Sequence, residues 1–319
     1  MMKVGVLMGG ISSEREVSLD SGNNVIEHLD KSKYEVIPVV IDKKTDVIEK
    51  VKDLDFALLM LHGKFGEDGR VQAILETYEI PYSGCGVLAG GLGVDKDITK
   101  QILRYNNIRT ADWFVVKSVE EIDYAKIEEY GYPVMVKPVN GGGSVATFIV
   151  KKKEDVEAAV LDGLKWDEEI MIEKFLTDAT EITCPVVNGK MTSVIAIEPK
   201  GEFFDYESKY TAEGSKRYVV ELPEELHKEV EAMAVGTYHA LKTSVLTRVD
   251  MLIKDGVPYV LEVNTLPGMT KNSLVPVSLK HFGIEMGEFL DMVIEESMKV
   301  RKKAYDLDNA RNNGVEVIK

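Results

Sequence analysis

The stretch "RVDMLIKDGVPYVLEVNTLPGMTKNSL", residues 248–274, constrains the fold and chemistry of this chain more than any other. Two apolar runs flank Asp255-Gly256, a pair that favours a hairpin turn. Each arm nevertheless carries an acid, Asp250 on the first and Glu262 on the second. Asn264 follows Glu262 at a spacing of two, so both side chains lie on one face of a strand. A two-residue loop pairs Asp250 with Leu261 and sends the carboxylates to opposite faces; a three-residue loop pairs Asp250 with Glu262 and brings them together. Adjacent carboxylates repel unless one is protonated or a cation lies between them. Two acids and an amide supply hard oxygens that suit Mg²⁺, which takes one or two carboxylates and keeps its other positions for water and phosphate. The competing account is an exposed edge with solvated charges.

Length and charge narrow the choice. At 319 residues the chain suits two or three packed domains, and 45% hydrophobic with 29% charged residues is ordinary for a soluble globular protein. A net charge of −15 argues against nucleic acid as a partner, since phosphate contacts need a basic surface, and any polyanion site must concentrate lysines locally. Cys85 and Cys184 have no metal-type spacing, which implies reduced thiols and a cytoplasmic setting. No apolar run approaches the roughly 20 residues that cross a bilayer, and "MMKVGVLMGGISSERE" does not read as a signal peptide.

The first third alternates strands ("KVGVLM", "VIPVVI", "FALLML") with helices expected near Glu14, Thr45 and Val71, the pattern of a parallel sheet covered on both faces. "SERE" reads as a capping box with Ser13 at the N-cap and Glu16 three residues on. Gly9-Gly10 permits a tight turn off the strand end, but G-x-G-x-x-G is absent, which excludes a dinucleotide fingerprint. From Asp95 the pattern becomes α+β: a helix ("DKDITKQILRY"), the strand "WFVV", a helix over 120–129, then "PVMVK" and "TFIV" flanking a glycine loop, a helix over 154–164 and the strand "EIMIEKF". A long helix over 223–241, the hairpin and an amphipathic helix over 285–300 follow, and the polar tail "AYDLDNARNNGVEVIK" is expected to fray.

Several residues fit phosphate and carboxylate chemistry. "KPVNGGGSVA" sets Lys137 at a strand end before three glycines whose bare N–H groups can approach phosphate oxygens, although a flexible hairpin tip explains the glycines equally and no Walker A loop is present. Lys96 and Glu173-Lys174 add weaker signals of the same kind. Arg248, two residues before Asp250, could stabilise developing negative charge or simply pair with that acid. Gly268 offers an exposed N–H, Ser273 a hydroxyl for a carboxylate if it caps a helix, and His62 stands at a strand end in "LHGKFGEDG", where a lone histidine is more often structural.

The segments "GGISSEREVS", "LHGKFGEDG", "VDK", "VKP", "FFDYESKY", "TRVD" and "LEVNTLPGMTKNSLVP" occur in order, and together they resemble the D-alanine–D-alanine ligases of the ATP-grasp superfamily from residue 1 to about residue 303. The resemblance implies an N-terminal doubly wound α/β substrate-binding domain (1–94), a central ATP-grasp lobe that lids the ATP (95–181) and a C-terminal lobe with the metal and catalytic site (182–319). It implies that Asp250, Glu262 and Asn264 hold two Mg²⁺ (or Mn²⁺), that Lys96 and Lys137 contact phosphates, and that Glu173, Lys174 and Leu176 meet the adenine. Glu14 would hold the ammonium of the first D-alanine with His62 nearby, and Ser273 and Leu274 the carboxylate of the second. Arg248 and the N–H of Gly268 would meet the tetrahedral oxyanion, and a mobile loop would bring Lys209 and Tyr210 over the site. A homodimer is implied by resemblance only, and a monovalent cation is left open.

Two departures stand out. Where the family usually reads G-S-S-V-G, this chain reads Gly142-Gly143-Ser144-Val145-Ala146, so Gly143 replaces the serine that latches the lid through the Glu14 and Tyr210 equivalents. Losing one charge-assisted hydrogen bond costs about 1.5–3 kcal/mol if its partner stays buried, which predicts a weaker latch or a loosened first-substrate subsite. "EKFLTDATEIT" is one residue longer than the family pattern, leaving the ribose role of Glu181 open. A relative using D-serine or D-lactate as second substrate is the main alternative; Lys209-Tyr210 argues against D-lactate. A non-catalytic nucleotide binder is the more distant one, opposed by the retention of Arg248, Asp250, Glu262 and Asn264 together.

Overall fold

The computed structural model describes residues 1–199 and 215–314, so Lys209 and Tyr210 lie outside the described residues. The chain opens with three parallel strands, β1 (Met2–Gly9), β2 (Tyr34–Ile41) and β3 (Phe56–Leu59), in the order β2-β1-β3. Helices α1 (Arg15–His28), α2 (Thr45–Lys50) and α3 (Arg70–Thr77) follow where the alternation places them. The period-2 pattern of β1 sorts its side chains between two cores. Val4, Val6 and Met8 pack on one face with Val25 of α1, while Leu7 packs on the other with Val47 of α2 and Val71 and Leu75 of α3.

Two adjacent helices, α4 (Val87–Val94) and α5 (Lys96–Tyr105), lead out of this layer, and Asp95 caps α5 by accepting the Ile98 N–H at 2.9 Å. The second sheet is antiparallel throughout, β4-β7-β5-β6, built from β4 (Trp113–Val116), β5 (Val134–Pro138), β6 (Phe148–Val150) and β7 (Ile170–Lys174). Helices α6 (Tyr124–Tyr130) and α7 (Val156–Gly163) cover it. The third sheet comprises β8 (Thr180–Val187), β9 (Lys190–Met191), β10 (Ile195–Pro199), β11 (Ser215–Val219), β12 (Leu246–Lys254) and β13 (Val257–Asn264), with α8 (Glu224–Ala240) against its core. Helices α9 (Leu274–His281) and α10 (Met286–Gly314) close the described chain. Among the described residues no helix is long and apolar enough to cross a membrane.

Two local expectations need correction, and one helix was not expected. The capping box does not form: α1 starts at Arg15 with Glu14 at the N-cap and no side-chain cap bond. The Ser12 hydroxyl donates to the His62 carbonyl at 2.7 Å and accepts the Glu14 N–H at 3.2 Å, holding the turn one residue longer than "SERE" suggests. The glycine-rich segment 87–94, left unassigned by periodicity, is α4; its Gly90 passes so close to the Glu67 carbonyl that a Cβ would stand 2.7 Å away. The C-terminal helix runs on to Gly314 rather than ending near Val300. Tertiary contacts extend it: buried Arg301 donates to the Gly84 carbonyl at 2.7 Å and lies over the Tyr82 ring, and the Tyr305 hydroxyl donates to the Ile80 carbonyl at 3.2 Å.

Candidate active site

The hairpin satisfies both sequence alternatives at once. Its loop has two residues, Asp255 (φ 51°) and Gly256 (φ 76°), a pair of positive φ angles typical of a type I′ turn, and Lys254 pairs with Val257. The ladder stays in that register as far as Met251–Val260. There Leu261 inserts as a β-bulge, after which Asp250 opposes Glu262 and Arg248 opposes Asn264. The bulge adds one residue to β13 and swings Glu262 and Asn264 onto the face of Asp250.

Asp250 is 5% exposed and densely partnered. Arg248 grips it at two points, Nε to Oδ1 at 2.9 Å and Nη2 to Oδ2 at 2.8 Å. Asn264 Nδ2 donates to Oδ2 at 2.9 Å, and the Thr183 hydroxyl, from the facing position of β8, donates to Oδ1. The pairing of Arg248 with Asp250 and its place on the cleft wall are therefore compatible: the acid aims the guanidinium. Lys96 Nζ lies 3.9 Å from Glu262 Oε2 and donates to the Gly141 carbonyl, tying α5 to the hairpin and to the glycine loop.

A cleft of about 110 Å³ gathers Glu14, His62, Arg248, Gly268, Ser273 and Leu274. A narrower passage of about 60 Å³ adjoins it through Lys96, Gly141 and Glu262 and carries Lys137 and Glu181. Met135, Glu181 and Leu261 connect that passage to an open pocket of about 720 Å³ walled by Glu173, Lys174, Phe175, Leu176 and Tyr259. Apart from Asp250, which lies behind Arg248 and lines none of these cavities, the described candidate residues line one continuous channel between the second and third sheets, with the parallel layer at its far end.

At that far end the glycine loop meets the first domain. A Cβ on Gly142 would stand 2.7 Å from Glu14 Oε2, and one on Gly63 2.9 Å from it, so the Glu14 carboxylate lies directly against the backbone of both glycines. Gly268 packs so tightly against Ser273 that a Cβ would lie 3.0 Å from its hydroxyl, which also accepts the Thr270 N–H at 3.0 Å. Ser273 does stand at the N-cap of α9, in backbone position though without a side-chain cap bond. His62 is buried with Nε2 3.2 Å from the Ser21 hydroxyl; burial pushes its imidazole below the usual value, with Glu14 opposing.

Reading the sequence did not single out Glu67, Thr183 or Lys100. Glu67 lines the cleft and accepts the Gly63 N–H at 2.7 Å; burial, reinforced by the neighbouring Glu14, pushes its carboxyl up to about 8. Its signal was present in "LHGKFGEDG" as a second acid beside a helix start. Thr183 carries no signal without the strand register. Lys100 is considered below.

The donor set fits a hard divalent cation. Among the described residues no three His, Cys, Asp or Glu side chains gather, but Mg²⁺ needs only one or two carboxylates, and Asp250 and Glu262 stand opposite one another. Asn264 donates its N–H to Asp250, leaving its amide oxygen as the acceptor.

A parallel α/β layer followed by two antiparallel sheets with a lysine- and acid-lined channel between them is the ATP-grasp architecture. The family models for the D-ala D-ala ligase N-terminus and C-terminus match residues 3–53 with 44–85, and 96–295. D-alanine–D-alanine ligase A of Clostridium perfringens is 60% identical over 302 residues, covering 95% of this chain and all of that protein. Among solved structures, the D-alanine–D-alanine ligase of Bacillus anthracis complexed with ATP is 47% identical with a TM-score of 0.86, over 95% of this chain and 99% of that one. The VanG D-Ala:D-Ser ligase of Enterococcus faecalis is 30% identical with a TM-score of 0.79, over 93% and 99%. The chain belongs to the D-alanine–D-alanine ligase family.

Proposed function

We propose that this protein joins two D-alanines into D-alanyl-D-alanine at the expense of ATP, the dipeptide used for peptidoglycan precursors. The observation that carries the reading is the convergence of Glu14, Arg248, Gly268 and Ser273 on one cleft beside the Asp250–Glu262–Asn264 set. The domain division follows the same reading: substrate-binding residues 1–94, lid lobe 95–181 and catalytic lobe 182–319.

The γ-phosphoryl group passes to the carboxylate of the first D-alanine, releasing ADP and leaving an acylphosphate. The amine of the second attacks the acyl carbon, loses a proton and expels phosphate as the peptide bond forms. Glu14 receives the first substrate's ammonium, with His62 uncharged behind it. Arg248, aimed by its two-point grip on Asp250, and the Gly268 N–H face the tetrahedral oxyanion. Ser273 and the N–H of Leu274 at the start of α9 receive the second carboxylate. Lys96 and Lys137 contact the phosphates, Glu173, Lys174 and Leu176 the adenine, and Glu181 the ribose. The resemblance also assigns Lys209 and Tyr210 to this site, and excluding water from it protects the acylphosphate from hydrolysis. Asp250, Glu262 and Asn264 hold two Mg²⁺ (or Mn²⁺), which when bound offset the charge of the triphosphate. A homodimer is the assembly expected of the family, checked by light scattering.

The test is phosphate release from Mg·ATP with D-alanine, alone and with D-serine or D-lactate, the products identified by mass spectrometry. D-Ala-D-Ala as dominant product is expected. A mixed dipeptide or depsipeptide would transfer the second subsite to another substrate, and ATP binding without amino-acid-dependent phosphate release would end the ligase reading.

A further inference from the structure

Lys100 stands one turn beyond Lys96 on α5, yet it is fully buried, at 0% exposure. Its ammonium ion-pairs with Glu173 Oε1, donates to Thr110 Oγ1 at 2.6 Å and to the Ala111 carbonyl at 3.1 Å, and lies 5.1 Å from the centre of the Trp113 ring. The other oxygen of that carboxylate, Glu173 Oε2, accepts from Lys137 Nζ at 2.7 Å. A single carboxylate from β7 is therefore shared between two lysines, one from α5 and one from β5. Lys137 lines the channel; Lys100 does not.

The charge count gives this arrangement a consequence. A buried Lys137–Glu173 pair alone is neutral and offers a polyanion little. With Lys100 the cluster carries one net positive charge, in surroundings that screen it poorly. Burying a lysine is costly, and an apolar side chain of similar volume would fill the space without that cost. We propose that Lys100 is a positioning residue for the nucleotide: by taking a share of Glu173 it leaves Lys137 electropositive toward the phosphates without touching them itself. The inference rests on the reading of Lys137 as a phosphate ligand.

The groups facing the Lys100 ammonium are Glu173, Lys137 and Arg104, with Thr110, the Ala111 carbonyl and Trp113 as neutral neighbours. Burial pushes Lys100 down to about 8; Glu173 opposes this and Lys137 adds to it. Below that pH the cluster is net positive, and above it the cluster becomes neutral.

The experiment measures Mg·ATP dissociation constants by calorimetric titration of the full chain, with folding checked by thermal unfolding. Lys100→Met at pH 7 is expected to weaken Mg·ATP about tenfold or more, the effect of one unit charge in a poorly screened site, while the KM for D-alanine changes little. Adding Glu173→Gln to Lys100→Met returns the count to one positive charge and leaves in place the strand backbone through which residues 173–176 are taken to meet the adenine, since the Glu173 carboxylate itself is committed to the two lysines; it should restore most of the affinity, which a purely structural role would not do. Unmodified protein should lose affinity between pH 7 and 9, and Lys100→Met should not. The pH arm needs no variant and decides the matter even if Lys100→Met fails to fold: a flat profile overturns the proposal. A folded double variant as weak as the single one overturns it as well. Lys137→Met run in parallel separates the two readings: intact Mg·ATP binding there refutes the phosphate role of Lys137, whereas weakened binding there with normal binding in Lys100→Met refutes this inference alone.

Discussion

The two ends of the channel solve opposite electrostatic problems with the same side-chain types. At the nucleotide end one carboxylate, Glu173, lies between Lys100 and Lys137; burial alone would raise its pKa, but the two lysines outweigh burial and hold it below the usual range. At the amino-acid end carboxylates crowd together. Glu14 and Glu67 share one wall with Glu262 nearby, His62 is depressed toward its neutral form, and Glu67 is pushed up to about 8. On the proposed reading one end takes phosphate and the other an ammonium group, and Arg248 stands between them, fixed by Asp250. The difference teaches that the channel is polarised along its length by neighbours rather than by composition, since the chain as a whole is strongly acidic.

The strongest way to break this arrangement is at its middle. Arg248→Met removes the cation proposed to face the oxyanion and leaves Asp250 held by Thr183 and Asn264, so the variant should fold and bind Mg·ATP while kcat falls about 100- to 1000-fold. Steady-state kinetics with both substrates check this, and an unchanged kcat would assign Arg248 to structure alone.

Glu67→Gln sharpens the contrast at the amino-acid end. The Glu67 carboxyl is raised from 4.5 to about 8 in the folded chain, so the native state holds a proton there that the unfolded chain gives up. Its stabilising contribution is complete below about pH 4.5 and is lost as pH rises through about 8. Glutamine, which mimics the protonated acid and can still accept the Gly63 N–H, should escape that loss. Urea unfolding at pH 5 and 9 should show the variant gaining roughly 2–4 kcal/mol on the wild type between the two; parallel stabilities would show that Glu67 is ionised throughout.

The smallest effect is expected at the lid. Gly143 has φ +60°, a conformation that costs an L-residue about 1–2 kcal/mol, while a charge-assisted hydrogen bond from a serine there contributes about 1.5–3 kcal/mol. Gly143→Ser should therefore lower the KM for D-alanine only a few-fold, measured at saturating Mg·ATP. No change would mean that the latch is not limiting.

Much of this was legible in the residues, and the failures have physical causes. The strand–helix alternation, the hairpin and the acid–acid–amide set could be read because each rests on local period or spacing. The bulge at Leu261 could not, because one extra residue changes the pairing without any change in turn chemistry, and it decides whether the acids meet. The Ser13 capping box failed because the Ser12 hydroxyl is engaged by His62, a contact from fifty residues away in the chain. The tail from Ala304 onward looked set to fray because its periodicity is weak, yet Arg301 just before it and Tyr305 within it dock the helix on Gly84 and Ile80, and the helix runs to Gly314. Lys100 was a single charge in an unremarkable setting, and Glu67 one of two adjacent acids in "LHGKFGEDG" with nothing local to tell them apart. Only their neighbours in space make them part of the site.

The most direct test of a polarised channel is a pair of ligand titrations on Glu14→Gln and Lys137→Met. The account predicts a double dissociation: Glu14→Gln weakens D-alanine about tenfold or more and leaves Mg·ATP nearly unchanged, and Lys137→Met does the reverse. If each substitution weakened both ligands equally, the two ends would be acting as a single site, and the division of labour argued here would be wrong.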